Sequence, residues 1–246
     1  MNEKKFLSFD EIDQLITMIN ESYPEEQPKK DTINQQERAN RRMELYQKLA
    51  KLNLSKSLFD ISDVCKILEL LFSSMTNAMS SNLSILTGKS AIFSESVFCL
   101  SNREKLLSML PNNVTVIKAN YIYGFIGEHV YLFSEKAALT IASLVIREEE
   151  IEFDEMAKSL ISEVISQMIG NQINVLTDMT GNKLAAASPI TENFDKKNIV
   201  FPEGEFILLT YNLDLNGKNY EMWEILGESL AKNIFNSLID AVKTIL

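Results

Sequence analysis

The sequence predicts an α+β fold in which two similar halves share one antiparallel sheet. Both halves follow the order helix, strand, strand, strand, helix. The segment LTGK at 86–89 recurs as MTGN at 179–182, 93 residues later and again just before a strand. Apolar residues make up 46% of the 246-residue chain, which is enough for a sizeable core. Layer packing then favours two long helices side by side on one face of the shared sheet.

The first half is expected at about 60–147. It opens with the apolar-periodic stretch DVCKILELLFSSMTNAMSSNLSILTG, which predicts a helix, followed by the β-rich segment SAIFSESVFCL. A short helix near 103–110, the hairpin VTVIKANYIYGFIGEHVYLF and a helix over 135–147 complete this half. The single histidine, His129, lies where the hairpin turn gives way to a strand, a position typical of a surface or structural histidine.

The second half is expected at about 153–246. It offers the helix DEMAKSLISEVISQMIGNQINVLTDMTG, the strand KLAAASPI, and a hairpin with Asn216-Gly217 at its turn. A closing helix follows from Gly227. Both halves together form a domain predicted at 57–246.

Two segments precede this domain, a peptide helix at 1–20 and a polar linker at 21–56 with a charged helix at about 31–52. In the first, Ser8 as N-cap and Glu11 three residues later form a capping box, flanked by a staple of Leu7 and Ile12. Such a tethered amphipathic helix suits docking into a partner's groove. Packing of the helix on its own domain is the alternative that the pattern leaves open.

Composition limits the classes of partner. Acidic residues outnumber basic ones 34 to 24, and the net charge of -10 disfavours binding to nucleic acid or to anionic membranes. The apolar runs are too short to span a bilayer, and the N-terminus lacks the apolar core of a secretion signal, so we expect a cytoplasmic protein without membrane insertion. One histidine and two cysteines without metal-ligand spacing predict no metal or cofactor of its own.

The peptide LSFDEIDQLI at 7–16 closely resembles LSQDEIDALL, the N-terminal peptide of the flagellar switch proteins FliM and FliY. In those families the peptide binds the phosphorylated response regulator CheY. The resemblance therefore implies a CheY-binding role for the seven identical residues and for one conservative replacement, which are Leu7, Ser8, Asp10, Glu11, Ile12, Asp13, Leu15 and Ile16.

A second, independent resemblance lies in the helix of the second half. The chemotaxis phosphatases CheC and FliY carry Asp or Ser, three residues, Glu, two residues, Asn, then 22 residues and Pro. Ser159, Glu163, Ser166 and Pro189 keep every spacing, but Ser166 stands where the family has Asn. The spacing i, i+4, i+7 puts the first three on one helix face. The region from about 60 to 246 is thus similar to the CheC/FliY/FliM middle domain.

The resemblance implies Glu163, Ser166 and Ser159 as catalytic residues and Pro189 as a supporting member of the motif. In the family, Glu engages a basic residue of CheY, and Asn orients water for attack on the aspartyl phosphate, while the receiver supplies its own Mg²⁺. Serine is shorter than asparagine and offers only a hydroxyl, which weakens this positioning. Gln167 carries an amide, but it projects roughly 100 degrees around the helix from Ser166.

The first half shows no complete copy of this motif. With the offset of 93, the Glu, Asn and Pro positions hold Leu70, Ser73 and Ser96, and registered on Glu69 the Asn position holds Phe72. The first-half helix is therefore expected to be core or a docking surface, as in FliM.

Two functions from different classes follow from the resemblance. One is a chemotaxis or flagellar motor signalling protein that binds phosphorylated CheY and promotes hydrolysis of its aspartyl phosphate. The other is a non-catalytic CheY-binding or switch-associated adaptor in which Ser166 records lost catalysis. The implied partners are the phosphorylated receiver and flagellar switch proteins, and the implied location is the cytoplasm, including the base of the flagellar motor. An unrelated α+β interaction domain with accidental motif matches is a third interpretation.

Overall fold

The structure is a computed structural model that describes residues 28–51, 61–149 and 151–245. The chain divides into two compact units, Met1–Arg41 and Arg42–Leu246. The described residues of the first unit are helical and belong to α1 (Pro28–Ala50), and the division between the units falls within this helix. The predicted peptide helix at 1–20 lies outside the described residues.

The second unit starts earlier than the domain predicted at 57–246. Three apolar side chains of α1, those of Leu45, Tyr46 and Leu49, are buried in its core. Their spacing of one and then three residues puts them on one side of the helix, which explains why the compact unit reaches back to Arg42.

The remaining elements of the described chain follow in order. They are α2 (Ile61–Ser73), α3 (Thr76–Thr87), β1 (Ala91–Ser101), α4 (Arg103–Met109), β2 (Asn113–Lys118), β3 (Tyr121–Tyr123), β4 (His129–Ser134), α5 (Glu135–Ile146), α6 (Glu155–Thr180), β5 (Ala185–Ala186), β6 (Ile190–Asp195), β7 (Phe206–Leu215), β8 (Lys218–Gly227) and α7 (Glu228–Ile245). A short 3₁₀ turn, Lys196–Asn198, separates β6 from β7.

The main sheet has the strand order β1-β7-β8-β4-β2-β6, and its pairs are antiparallel. This order is symmetric about the central pair of β8 and β4. Strand β4 corresponds to β8, β2 to β7, and β1 to β6. At the centre β4 pairs with β8, and Tyr131 lies opposite Glu224, its counterpart 93 residues later. A residue paired with its own repeat counterpart marks a local two-fold axis. The predicted duplicated α+β fold is therefore confirmed.

The ends of α3 and α6 repeat the same local structure. The hydroxyls of Thr87 and Thr180 each donate to the carbonyl four residues earlier at 2.7 Å. Each also accepts from the backbone N–H two residues later at 3.3 Å. The next residue, Gly88 or Gly181, caps the helix in the left-handed conformation. The LTGK and MTGN segments are thus equivalent helix ends.

Helices cover one face of the sheet, as predicted. The large core contains buried side chains from α2, α3, α5, α6 and α7 together with sheet residues such as Phe93, Tyr131 and Tyr211. A smaller cluster on other sheet residues joins Val116, Leu132 and Trp223 to Leu106 of α4 and to Ile199. Alternation of side chains along a strand separates the two clusters onto opposite faces.

One of the two predicted long helices is divided. The second half has the continuous 26-residue α6, whereas the equivalent part of the first half consists of α2 and α3. At the break, the backbone N–H groups of Ser74 and Met75 donate to carbonyls three residues earlier, Leu71 and Phe72. Such tighter i to i+3 bonds end an α-helical run.

The strand predicted at KLAAASPI is wrong in position. Within that segment Ala185–Ala186 pair with β3 in a separate two-stranded sheet, and its last residue, Ile190, enters the main sheet. The strand of the main sheet is β6, which pairs with β2 and begins just after Pro189. Its sequence ITENFD has few apolar residues because β6 is an edge strand with an exposed face.

His129 is structural rather than on the surface, since it is buried in the centre of the domain. In the part of the chain that the structure describes, no helix combines the length and the apolarity needed to cross a bilayer.

Candidate functional site

Helix α6 begins and ends with clear signals. The side chain of Asp154 accepts from the backbone N–H of Ala157 at 2.9 Å, which caps the first turn, and Glu155 adds negative charge at the positive end of the helix dipole. Gly181 ends the helix. The buried face of α6 consists of residues at helical spacing, namely Ala157, Ile161, Val164, Ile165, Met168, Ile169, Gln172, Leu176 and Met179. Burial of this stripe fixes which face of α6 points outward.

The three predicted catalytic residues lie on that outward face. Ser159, Glu163 and Ser166 are all exposed, so each is accessible to a docked partner. In the described part of the chain, the hydroxyls of Ser159 and Ser166 have no hydrogen-bond partner. The structure thus brings these residues together on one helix, and their catalytic roles stay a prediction.

Gln167 contacts Glu163 directly. Its side-chain Nε2 donates to Glu163 Oε1 at 3.0 Å, and both side chains are exposed. Sequence reasoning compared Gln167 only with Ser166 and therefore missed this pair. The i, i+4 spacing of an amide and a carboxylate is the signal that could have found it.

Pro189 is half-buried and precedes β6, which lies beside α6. The hydroxyls of Ser162 and Thr191 are 2.7 Å apart, and Lys158 Nζ lies 3.2 Å from Glu192 Oε2. The strand therefore runs opposite to the helix, and Pro189 lies on the C-terminal side of Ser162 along α6, the side on which Ser166 follows.

Lys158 forms a charged cluster at the first turns of α6. Its ammonium group also lies 2.9 Å from Glu155 Oε1. The pKa of Lys158 is raised, first by the hydrogen bond to Glu155 and then by that to Glu192. These contacts join the start of the helix to the edge strand.

A buried polar network anchors the middle of α6. Gln172 Nε2 donates to Glu224 Oε1 at 2.9 Å, and Gln172 Oε1 accepts from Tyr131 at 2.9 Å. Glu224 also accepts from the hydroxyl of Tyr211 at 2.8 Å, and its Oε1 lies 2.7 Å from His129 Nε2. Five polar side chains are therefore joined in the core, although His129 Nδ1 is buried without a hydrogen-bond partner. Helix α6 cannot slide without breaking the bonds of Gln172.

This network also shifts the acidity of its tyrosines. Burial raises the pKa of Tyr131 and of Tyr211 well above the ordinary value, and the nearby Glu224 carboxylate adds to the effect in both cases. Both hydroxyls therefore stay protonated and act as donors. The network is structural, because its members are buried away from the exposed face of α6.

The equivalent face of the first half has different chemistry. Lys66, Leu70 and Ser73 occupy the positions that correspond to Ser159, Glu163 and Ser166. Leu70 packs against the core, and Lys66 is paired with Asp63 at 3.1 Å. Ser73 is the last residue of α2, where the helix breaks. The position equivalent to Glu163 is therefore apolar, and the exposed carboxylate of α2 is that of Glu69, one residue earlier.

The CheY-binding peptide residues predicted at 7–16 lie outside the described residues. Within the described ranges, no group of three or more His, Cys, Asp or Glu side chains is placed to hold a metal ion.

The duplicated sheet with helices on one face is the fold of solved FliY and FliM middle-domain structures. FliY from Thermotoga maritima is similar in structure over 77% of this chain and 100% of its own, with a TM-score of 0.66 and 16% sequence identity. The FliM middle domain from H. pylori is similar over 75% of this chain and 99% of its own, with a TM-score of 0.60 and 12% identity.

The FliM middle domain from Vibrio alginolyticus gives a TM-score of 0.56 at 14% identity, over 70% of this chain and 99% of its own. No protein-family model matches the chain, and no curated protein matches it in sequence. At these identities the likeness shows the fold alone.

Proposed function

We propose that this chain is a chemotaxis and flagellar-switch protein that binds a phosphorylated CheY-type receiver and promotes hydrolysis of its aspartyl phosphate. The observation that carries the proposal is the exposed face of α6, where Glu163 is presented between Ser159 and Ser166 with the spacing of the CheC and FliY motif. The fold shared with FliY supports it.

The physical demand on the helper protein is small. The receiver holds its own Mg²⁺ and phosphoryl group, so the helper adds a rigid group that orients water and a contact that holds the two proteins together. A helix anchored by a buried network meets the first requirement, since α6 is fixed through Gln172. An exposed carboxylate at Glu163 suits the second, because it can pair with a basic side chain of the receiver.

The N-terminal peptide at 7–16 would add a second attachment. Tethering raises the local concentration of the receiver beside α6, so the two contacts together give tighter binding than either alone. The predicted location is the cytoplasm, including the base of the flagellar motor. FliM of H. pylori forms complexes with FliG and with SpeE, and switch proteins are accordingly further partners that we propose for this chain.

A non-catalytic adaptor is the second candidate, and one observation favours it. Ser166 lacks the amide that the family places there. In that case the chain would bind the phosphorylated receiver and leave its phosphate lifetime unchanged.

The test follows the decay of a purified CheY-type receiver phosphorylated with acetyl phosphate, in the presence of the full chain. We expect the wild type to accelerate the decay and Glu163→Ala to remove most of that effect, by about tenfold or more. Glu155→Ala, an exposed carboxylate on the same helix, is the matched control and should keep the activity. Acceleration that survives Glu163→Ala would disprove the assignment of α6.

The adaptor would give a different result in the same assay. Unchanged decay with the wild type, together with acceleration by Ser166→Asn, would support the adaptor and the motif alignment. Deletion of residues 1–20 should weaken receiver binding in either case, and an unaltered affinity would reject the role of the peptide.

A further inference from the structure

Two side chains lie one helical turn beyond Glu163, and both are exposed. At 100 degrees per residue, Ser166 is displaced by roughly 60 degrees to one side of Glu163 and Gln167 by roughly 40 degrees to the other. The side chain of Gln167 therefore projects closer to the direction of Glu163 around the helix than the side chain of Ser166 does. It also has the longer side chain, which ends in an amide.

The contact with Glu163 orients this amide. Gln167 Nε2 donates to Glu163 Oε1 at 3.0 Å, and this bond uses one of its two N–H donors. The second N–H and both lone pairs of Gln167 Oε1 stay available to other groups. The oriented carbonyl oxygen of Gln167 can accept a hydrogen bond from a water molecule. The hydroxyl of Ser166 is on a shorter side chain and positions such a water less well.

We propose that Gln167 is the catalytic amide of this chain, acting on the attacking water in place of the family's Asn at position 166. This inference rests on the proposed function. The Gln167 carbonyl oxygen accepts a hydrogen bond from the water, and Glu163 restrains the amide while its other carboxylate oxygen meets the receiver.

The reaction is a hydrolysis without redox change. The water oxygen forms a bond to phosphorus as the bond between phosphorus and the receiver's aspartyl oxygen breaks. The products are the free aspartate carboxylate, which keeps the electron pair, and inorganic phosphate, while the proton from water passes to the phosphate or to solvent. Gln167 positions the water and is unchanged at the end.

The test compares Gln167→Ala with Ser166→Ala in the full chain. Release of inorganic phosphate is measured over a range of concentrations of a phosphorylated CheY-type receiver, which gives kcat and KM separately. We expect Gln167→Ala to lower kcat by about tenfold or more with little change in KM, because the amide acts on water rather than on binding. Ser166→Ala should lower kcat less than Gln167→Ala does, and Glu155→Ala, the exposed control on the same helix, should stay within about twofold of the wild type.

Two further variants keep the result interpretable. Gln167→Glu preserves length but replaces the donor amide beside Glu163 with a second carboxylate, so kcat should fall as in Gln167→Ala. Ser166→Asn in the Gln167→Ala background should restore kcat, which a merely structural defect would not allow. Chemical unfolding should be unchanged in all of them, because exposed substitutions cost little.

Each other outcome identifies what has failed. Full activity of Gln167→Ala together with loss in Ser166→Ala would overturn the role of Gln167 and leave the phosphatase function standing. If the wild type does not accelerate loss of the receiver's phosphate, both the role of Gln167 and the proposed catalysis are overturned, even if the receiver is found to bind.

Discussion

The two halves of the sheet domain share one scaffold but differ in the helix that could meet a partner. In the second half, α6 runs for 26 residues and passes Glu163 and Ser166 without interruption. In the first half, α2 ends at Ser73, the counterpart of Ser166, and α3 begins three residues later. The three equivalent positions of the first half still lie within α2, so that half lacks the motif because they hold Lys66, Leu70 and Ser73, and because the helix does not continue past the last of them.

The buried faces of the two halves differ as well. Met79 of α3 is replaced in the second half by Gln172, and Tyr131 of β4 by Glu224. These two replacements place an amide and a carboxylate in the core, where Tyr131, Tyr211 and His129 satisfy them. The duplicated fold thus tolerates polar groups at its axis provided that each finds a partner.

The largest expected effect tests this polar centre. Glu224→Ala leaves the buried donors of His129, Gln172 and Tyr211 without their acceptor, and we expect it to lower the free energy of unfolding by about 3–5 kcal/mol. Urea unfolding of the full chain measures the loss. Glu221→Ala, exposed on the same strand, is the control and should change stability by about 0.5 kcal/mol or less. Equal losses in the two variants would contradict the network.

The second comparison is between the hairpins of the two halves. The second-half hairpin turns at Asn216 and Gly217, whereas the first-half hairpin carries the excursion that includes β3. Both turns contain a glycine in the left-handed region, Gly124 with φ 75° and Gly217 with φ 77°. Their surroundings differ, because a Cβ at Gly124 would lie 2.2 Å from the backbone oxygen of Lys183, and one at Gly217 would meet open space.

We therefore expect Gly124→Ala to destabilise the domain by about 3 kcal/mol, since a backbone clash adds to the strain of the left-handed conformation. Gly217→Ala carries the conformational strain alone and should cost about 1–2 kcal/mol. Thermal and urea unfolding compare the two. If Gly217→Ala lowers the free energy of unfolding as much as Gly124→Ala does, the packing of β3 against 183–186 adds nothing to the cost of Gly124→Ala.

The smallest effect tests the symmetry itself. Thr87→Val and Thr180→Val each remove the hydroxyl that bonds the carbonyl four residues earlier and the N–H two residues later. We expect each to cost about 1 kcal/mol, because the two bonds that they share are the same and the additional 3.4 Å contact of Thr87 Oγ1 with the Lys89 carbonyl is long. Two urea unfolding curves are enough to compare them. A difference above about 1 kcal/mol would contradict the equivalence of the two helix ends.

Much of the fold could be predicted because its signals are local. Helical periodicity and the Asn216-Gly217 turn depend on neighbours in sequence, and the recurrence of LTGK as MTGN exposed the duplication. Strand β6 was misplaced because an edge strand needs few apolar residues, and its pairing with β2 is a contact distant in sequence.

The candidate site was only partly predictable. Spacing alone put Ser159, Glu163 and Ser166 on one face, since helix geometry is fixed by sequence separation. Packing of the helix decides which face of α6 points outward. Side-chain conformation decides that Gln167 bonds Glu163. The sequence left the environment of His129 open for the same reason, because the histidine bonds Glu224, which lies far away in the chain.

The sequence by itself determined the class of fold, the duplicated order of elements and the spacing of the motif residues, because each follows from short-range periodicity or from a fixed offset. The tertiary structure decided where α1 joins the core, where the first long helix breaks, and which polar groups meet at the centre of the sheet. These depend on burial and on pairing between residues remote in sequence, which no local pattern encodes.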